Sequence, residues 1–249
     1  MPLGHGTLVV RCANRETKYD ERVHILGSFM KSSVFYPETN GHPPPTAEVE
    51  IHTPEGVIKG LLHKAEGARG AMLMVGDADG GLDGPAGLYE PLAEQLQKAG
   101  ITALRIDYRE PNDLRESIYD ALAGIEAVRQ QGAERVALLG WSFGGAVVIT
   151  AGVASDLVVG VATIACQNFG AEMVADLSPK NLLIMHGTDD QEMPDHYSRE
   201  LYARARQPKE LVLYSGGDHD LAQHTELALD KLYAWSKRLL LVSAKASGR

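Results

Sequence analysis

Ser142 is a serine in a setting typical of a nucleophile. It lies in the stretch GWSFGG, between the apolar run RVALLG and the helix-forming run AVVITAGV. A GxSxG pattern between a strand and a helix is typical of the nucleophile elbow, a sharp turn that holds the hydroxyl above a sheet. Gly140 and Gly144 are needed because strand and helix crowd each other across such a turn. The pattern predicts Ser142 as a nucleophile, the alternative being a chance GxSxG in an ordinary turn.

Asp190 is the candidate for the carboxylate that a serine nucleophile needs. It belongs to NLLIMHGTDDQEMP, residues 181–194, in which an apolar run ends at His186 and Gly187. The acid of such a site stays ionised, fixes the tautomer of the histidine and stabilises its protonated form. Asp189 is adjacent and could take the same role, and a solvated loop carboxylate or a helix cap is the non-catalytic alternative.

His219 is the candidate base. It lies in YSGGDHD, residues 214–220, directly after the last apolar run. A base must reach the serine hydroxyl to within about 3 Å, and the two preceding glycines allow the sharp turn that this needs. Among the nine histidines, His186 and His224 are the rivals. We expect His186 to support the acid loop through a hydrogen bond and His224 to lie in the last helix.

The elements that must position these residues are strands alternating with helices. Six apolar runs read as buried strands, which are typical of a parallel sheet covered on both faces. Helical spacing predicts a helix over 114–128 and a last helix over 228–239. Pro91 and Gly100 mark the start and end of another helix. The predicted strands are GAMLMVG, ITALRID, RVALLGW, LVVGVATIAC, NLLIMHG and ELVLYSG.

The fold class that follows is α/β, with a mostly parallel, doubly wound sheet. The runs EVEIHT and GVIKGLLH flank the turn signal PEG and should form an antiparallel pair at its N-terminal side. In such a sheet ligands bind beyond the carboxyl ends of the strands. The three candidates Ser142, Asp190 and His219 each follow a strand, so we expect them to meet there.

The N-terminal segment, residues 1–46, differs from the rest of the chain. It contains RVHILGSFM, which could form a strand, followed by the proline-rich YPETNGHPPP. It is too short and polar to bury a core of its own. We interpret it as an arm or linker, and residues 47–249 as one catalytic domain.

The chain resembles the α/β-hydrolase superfamily over about residues 47–243, on the strength of GWSFGG, HGTDD and GGDH. It is similar to the compact dienelactone-hydrolase-like and acyl-peptidase-like serine hydrolases. Dienelactone hydrolases carry a cysteine at the elbow, where this chain has Ser142. The resemblance implies the α/β-hydrolase fold and a Ser142–His219–Asp190 triad, in the chain order that the superfamily uses.

The resemblance also implies an oxyanion hole made of backbone N–H groups. Phe143, directly after the nucleophile, should supply one donor, and Ala78, in the loop VGDADGGLDGP, the other. The carboxylates of Asp77, Asp79 and Asp83 would repel an oxyanion if they pointed inward, so we expect them to face solvent. Their alternate spacing also suggests a calcium loop, but Leu88 stands where the glutamate ligand would be needed.

Composition excludes several other classes. The net charge of −9 and the pI near 5.5 argue against nucleic-acid or anionic-membrane partners.

We find no signal peptide or membrane-spanning run and expect a cytoplasmic protein. Cys12 and Cys166 have no metal-binding spacing, so we expect no metal, and Cys166 reads as a small buried residue at a strand end. The predicted chemistry needs no cofactor.

The substrate is only broadly constrained. About fifteen residues separate VATIAC from NLLIMHG, where related enzymes insert a lid, which predicts a small or absent cap. The favoured hypothesis is a carboxylesterase that acts on small-molecule esters with short or accessible acyl groups. An amide or peptide hydrolase and a non-catalytic binding protein of the same fold are the alternatives. Trp141 and Phe143 could line the pocket or pack in the core, and the sequence does not fix the oligomeric state.

Overall fold

The computed structural model describes residues 33–35 and 45–241. Their strands are β1 (Ser33–Phe35), β2 (Thr46–Thr53), β3 (Gly56–His63), β4 (Gly70–Val75), β5 (Thr102–Ile106), β6 (Arg135–Trp141), β7 (Val158–Ile164), β8 (Asn181–Gly187) and β9 (Lys209–Tyr214). These strands form a nine-stranded sheet in the order β1-β2-β3-β5-β4-β6-β7-β8-β9. The pairs β1–β2, β2–β3 and β3–β5 are antiparallel, and all the others are parallel. The predicted α/β-hydrolase fold is confirmed.

The described chain has five α-helices, which are α1 (Tyr89–Lys98), α2 (Leu114–Gln130), α3 (Phe143–Ala154), α4 (His196–Arg204) and α5 (Thr225–Leu240). They cover both faces of the sheet, with α2, α3 and α4 on one face and α1 and α5 on the other. The described chain also has three short 3₁₀ turns, at 85–87, 172–177 and 222–224.

Burial along the strands explains why the sequence folds in this way. Every residue of β4 and β5 is buried, because helices cover both of their faces. β2 instead alternates between exposed and buried residues, since only one of its faces packs on the core. The apolar stripe predicted for the last helix is buried in α5, at Ala228, Leu232, Trp235 and Leu239.

The N-terminal side of the sheet extends further than the predicted strand pair. β1, from the segment interpreted as an arm, pairs with β2 through Val34 and Ile51. The strand suggested at RVHILGSFM lies outside the described residues, as does Cys12. A part of the N-terminal segment is therefore built into the sheet as an edge strand.

Candidate active site

Ser142 occupies the turn between β6 and α3. Its backbone has φ 52° and ψ −116°, a conformation that is costly for a residue with a Cβ and that is found at functional sites. Its N–H donates to the carbonyl of Ile164, over 2.8 Å, which attaches the turn to β7. The side chain is partly exposed. The local geometry is that of a nucleophile elbow, as the flanking strand and helix predict.

Glycines let the elbow pack backbone against backbone. A Cβ on Gly140 would overlap the carbonyl of Gly144, and a Cβ on Gly144 would overlap the carbonyl of Gly76 at the end of β4. Gly145 lies against Cys166, which is fully buried directly after β7, as the sequence predicts. Burial raises the pKa of the Cys166 thiol. The glycines thus hold the turn between two neighbouring strand ends.

Asp190 lies in the loop after β8 and is almost completely buried. Its Oδ1 accepts hydrogen bonds from the N–H groups of Glu192 and Met193, over 2.9 and 2.7 Å. Its Oδ2 lies 2.8 Å from Nδ1 of His219. The rival Asp189 is exposed and forms its side-chain hydrogen bond with Thr188. Of the two adjacent carboxylates, Asp190 is therefore the one that meets the predicted base.

His219 lies in the loop after β9, with its side chain only 10% exposed. Because Nδ1 faces a carboxylate oxygen, Nδ1 carries the proton and Nε2 is left to accept one. The indole of Trp141 lies beside the imidazole and donates to the carbonyl of His219. Trp141 immediately precedes Ser142, so the base loop contacts the elbow strand. A neutral imidazole in this tautomer is the form that a general base requires.

The acid and base loops are joined through their backbones. Asp189 N–H donates to the carbonyl of Gly217 over 2.9 Å, and Gly216 N–H donates to Thr188 Oγ1 over 2.9 Å. A Cβ on Gly187 would overlap the carbonyl of Gly217. The two loops therefore meet more closely than any pair of residues with side chains could.

The structure brings Asp190 and His219 into direct contact and sets His219 beside the residue preceding Ser142. Within the described part of the chain, Ser142 Oγ makes no hydrogen bond. Catalytic hydrogen bonds are often long in the absence of substrate and tighten when it binds. The catalytic roles of the three residues remain predictions.

The candidate oxyanion donors occupy two different strand ends. Phe143 is the first residue of α3, so its N–H is one of those that have no partner inside the helix. Ala78 lies half-buried in the loop after β4. Tyrosines hold the start of that loop, since Tyr89 donates to the carbonyl of Val75 over 2.8 Å and Tyr108 to that of Gly76 over 3.3 Å.

Two more side chains fix the same loop farther along. Asp107 accepts from Gly81 N–H over 2.7 Å, and Arg105 donates to the carbonyl of Leu82 over 3.2 Å. Neither contact was predicted from the sequence. The available signal was the position of Asp107 and Tyr108 directly after β5, at the edge of the sheet where ligands bind.

The aspartates of this loop are arranged mostly as expected. Asp79 and Asp83 are exposed, whereas Asp77 is half-buried and accepts a hydrogen bond from Asp79 N–H over 3.0 Å. In the ranges 33–35 and 45–241 no group of three or more histidine, cysteine, aspartate or glutamate side chains could hold a metal ion.

The two rival histidines have other roles. His186 is fully buried and hydrogen-bonds to the acid loop, as expected. His224 was expected in the last helix, which is wrong by one residue, because it ends the 3₁₀ turn before α5. Its imidazole forms a hydrogen bond with the carbonyl of Ser215 over 3.0 Å. This contact holds the base loop from the side of the last helix.

The connection between β7 and β8 shows how the site is covered. It contains one 3₁₀ turn, Glu172–Leu177, and no α-helix. The prediction of a small or absent cap at this connection is consistent with that length. Phe169, in the same loop, is 75% exposed.

Comparisons with known proteins agree with this architecture. No family model matches the chain. The "Uncharacterized protein YfhR" of Salmonella typhi is 24% identical, with 79% of this chain and 83% of that protein covered. Dienelactone hydrolase from Anabaena variabilis superposes with a TM-score of 0.68 at 19% identity, covering 80% of this chain and all of the other.

A second solved structure bears on the cap. XC6422 from Xanthomonas campestris, described as an α/β serine hydrolase without a lid, has a TM-score of 0.66 at 19% identity. The match covers 81% of this chain and 98% of that one. The fold is that of the α/β-hydrolases. Among the described helices, none is both long and apolar enough to cross a membrane.

Proposed function

We propose that the protein is a serine hydrolase that cleaves carboxylic esters with small or accessible acyl groups. The observation that carries the proposal is the 2.8 Å contact between Asp190 Oδ2 and His219 Nδ1. The loop of His219 also contacts Trp141, which precedes Ser142 and its positive-φ backbone. This arrangement supplies an acid, a base and a nucleophile at one edge of the sheet. The dienelactone hydrolase and serine hydrolase among the similar structures support the same class.

In the first half of the reaction, Ser142 Oγ attacks the ester carbonyl while His219 Nε2 takes its proton. The carbonyl oxygen becomes an oxyanion, which the N–H groups of Phe143 and Ala78 bind. Asp190 stabilises the imidazolium. The proton then passes to the alkoxy oxygen as its bond to the acyl carbon breaks, so the alcohol leaves and an acyl-serine remains.

In the second half, water replaces the alcohol. His219 accepts a proton from the water as its oxygen attacks the acyl carbon, and a second oxyanion forms in the same N–H pair. When the bond to Ser142 Oγ breaks, the imidazolium returns the proton to that oxygen. The products are a carboxylic acid and the free enzyme, and no other reactant is consumed.

The short connection between β7 and β8 supports the choice of substrate. With one 3₁₀ turn there, the described chain offers little to enclose a long acyl chain. Esters whose acyl group reaches the elbow without being enclosed therefore fit better than lipids. An amide or peptide hydrolase uses the same three groups and is the second candidate.

The experiment is labelling with a fluorophosphonate probe, followed by turnover of short p-nitrophenyl esters and aminoacyl amides. We expect labelling at Ser142, ester turnover above amide turnover, and loss of both in Ser142→Ala. Ser155→Ala, at the far end of α3, is the matched control and should keep wild-type activity. Amide turnover exceeding ester turnover would favour the peptidase, and an unlabelled wild type would leave a binding protein of this fold.

A further inference from the structure

His186 is a second imidazole on the carboxylate of Asp190. It is the last residue but one of β8 and is fully buried. Its Nε2 lies 3.1 Å from Asp190 Oδ2 and 2.6 Å from the carbonyl oxygen of Met193. Its Nδ1 lies 2.6 Å from the hydroxyl of Ser198, in the first turn of α4. Every polar atom of this imidazole therefore has a partner, and one partner is the candidate catalytic acid.

These contacts fix the tautomer of His186. Two oxygens that can only accept face Nε2, so Nε2 carries the proton. Nδ1 then accepts the proton of the Ser198 hydroxyl. Burial lowers the pKa of His186, against an opposing effect of the Met193 carbonyl and of Asp190 and Asp195. His186 is thus a neutral imidazole whose single N–H is shared between the closer Met193 carbonyl and Asp190.

Asp190 consequently has two donors on each oxygen. The N–H groups of Glu192 and Met193 face Oδ1, and the two imidazoles share Oδ2. His219 holds the shorter contact, 2.8 Å against 3.1 Å. Hydrogen bonds to a carboxylate stabilise its charged form, and each one weakens the attraction left for any other partner.

We propose that His186 is a positioning residue of the site: by donating to Asp190 it fixes the carboxylate toward His219 and limits how strongly that carboxylate holds the protonated base. The inference rests on the proposed function. It goes further than support of a loop, because it makes the acidic limb of the pH–rate profile depend on a residue that touches no substrate.

The groups that face the two imidazoles are few. Those around His186 are Asp190, Asp195, Ser198 and the Met193 carbonyl. His219 faces Asp190 and Trp141, and the carboxylate of Asp220 also interacts with it. Variants of His186 and Ser198 remove none of the groups that face His219.

The test compares His186→Leu, which has no donor, with His186→Gln, whose amide can still donate. Loss of the donor leaves Asp190 free to hold protonated His219 more strongly, so the acidic limb of kcat/KM should move up by about one pH unit. His186→Gln should restore the limb toward its wild-type position. Ser198→Ala should give a smaller shift in the same direction, whereas the buried Ser236→Ala, whose hydroxyl bonds to Leu232, should give none.

An activity-independent measurement accompanies this test. ¹⁵N NMR of the wild type should show His186 neutral, with the proton on Nε2, throughout the neutral pH range, and this holds even where His186→Leu fails to fold. The inference would be overturned if the acidic limb of kcat/KM stayed in place or moved down in a folded His186→Leu. A proton found on Nδ1 of His186 in the wild type would overturn it as well. Failure of the wild type to react with the fluorophosphonate would instead overturn the proposed function, and the NMR result would still stand.

Discussion

The indole of Trp141 and the imidazole of His219 lie with their ring centroids 5.6 Å apart and their planes tilted by 43°. The indole Nε1–H also donates to the carbonyl oxygen of His219, over 3.4 Å. The residue before the elbow serine therefore holds both the backbone and the ring of the candidate base. Asp190 holds the same ring through Nδ1.

Replacing Trp141 should affect turnover more than binding. Trp141→Leu removes the ring contact and the hydrogen bond, which together correspond to a loss of about tenfold in kcat. KM for a short ester should change little, because the base loop acts on the chemical step. Trp141→Phe keeps an aromatic ring, so its kcat should lie between those of the wild type and Trp141→Leu. Steady-state kinetics at one pH measure this, and an unchanged kcat in Trp141→Leu would contradict it.

Gly144→Ala should abolish activity. The new Cβ would overlap the carbonyl of Gly76 and lie 3.1 Å from Val75 Cγ2, so the elbow must move away from the loop that carries Ala78. The matched control is Gly100→Ala, where nothing lies within 4 Å but φ is +83°. That control should lose about 1 kcal/mol of stability through its left-handed backbone and keep its activity. Fluorophosphonate labelling and thermal unfolding separate the two effects, and a labelled Gly144→Ala would show that the elbow tolerates displacement.

His63 should make the protein less stable in acid. Burial, followed by the nearby Arg105 guanidinium, lowers the pKa of His63 to about 4. His63 therefore takes up a proton near pH 6.5 in the unfolded chain but only near pH 4 in the folded chain. Stability from this residue is complete above pH 6.5 and falls as the pH drops toward 4, by about 3 kcal/mol in total.

Urea unfolding of His63→Leu between pH 7 and pH 4 checks this sign. The slope of unfolding free energy against pH should become shallower in the variant, whatever its absolute stability. Some slope should remain, because burial lowers the pKa of His186 as well. An equally steep slope in the variant would exclude His63 as a source.

Lys180→Met should destabilise the protein without affecting catalysis. Lys180 Nζ donates to the carbonyls of Gly152 and Ser155, over 2.5 and 2.8 Å, at the C-terminal end of α3. Methionine keeps the length of the chain but removes the donor and the charge that complements the helix dipole, at a cost of about 2 kcal/mol. Lys209 Nζ likewise donates to two carbonyls at the end of α4, those of Tyr202 and Ala205, so Lys209→Met should also lower stability. Thermal unfolding measures the loss of stability. A reduced kcat in folded Lys180→Met would contradict a purely structural role of Lys180.

The sequence was sufficient to predict the buried strands and to select candidate site residues, because both depend on local patterns. Apolar runs such as the one ending at Gly140 are buried on both faces, so composition alone marks them as strands. The rule that ligands bind at the carboxyl ends of strands then selects Ser142, Asp190 and His219.

Contacts between loops were beyond such reasoning. Ser198 meets His186 only because α4 packs against β8, and no local pattern announces that pairing. The tyrosines that hold the loop after β4 come from α1 and from the end of β5, and sequence spacing does not relate them to that loop. The edge strand β1, three residues long, is too short for its pattern to be distinguished from a turn.

The close approach of Gly187 to Gly217 has a mechanical consequence. The acid and base loops are joined backbone to backbone, whereas the elbow formed by β6 and α3 meets the base loop through the side chain of Trp141. Movement between the elbow and the two loops would therefore change the distance from the serine hydroxyl to the imidazole more than the distance from the imidazole to the carboxylate. Loss of activity on mild heating would then begin as separation of hydroxyl from imidazole, with the carboxylate–imidazole pair still intact.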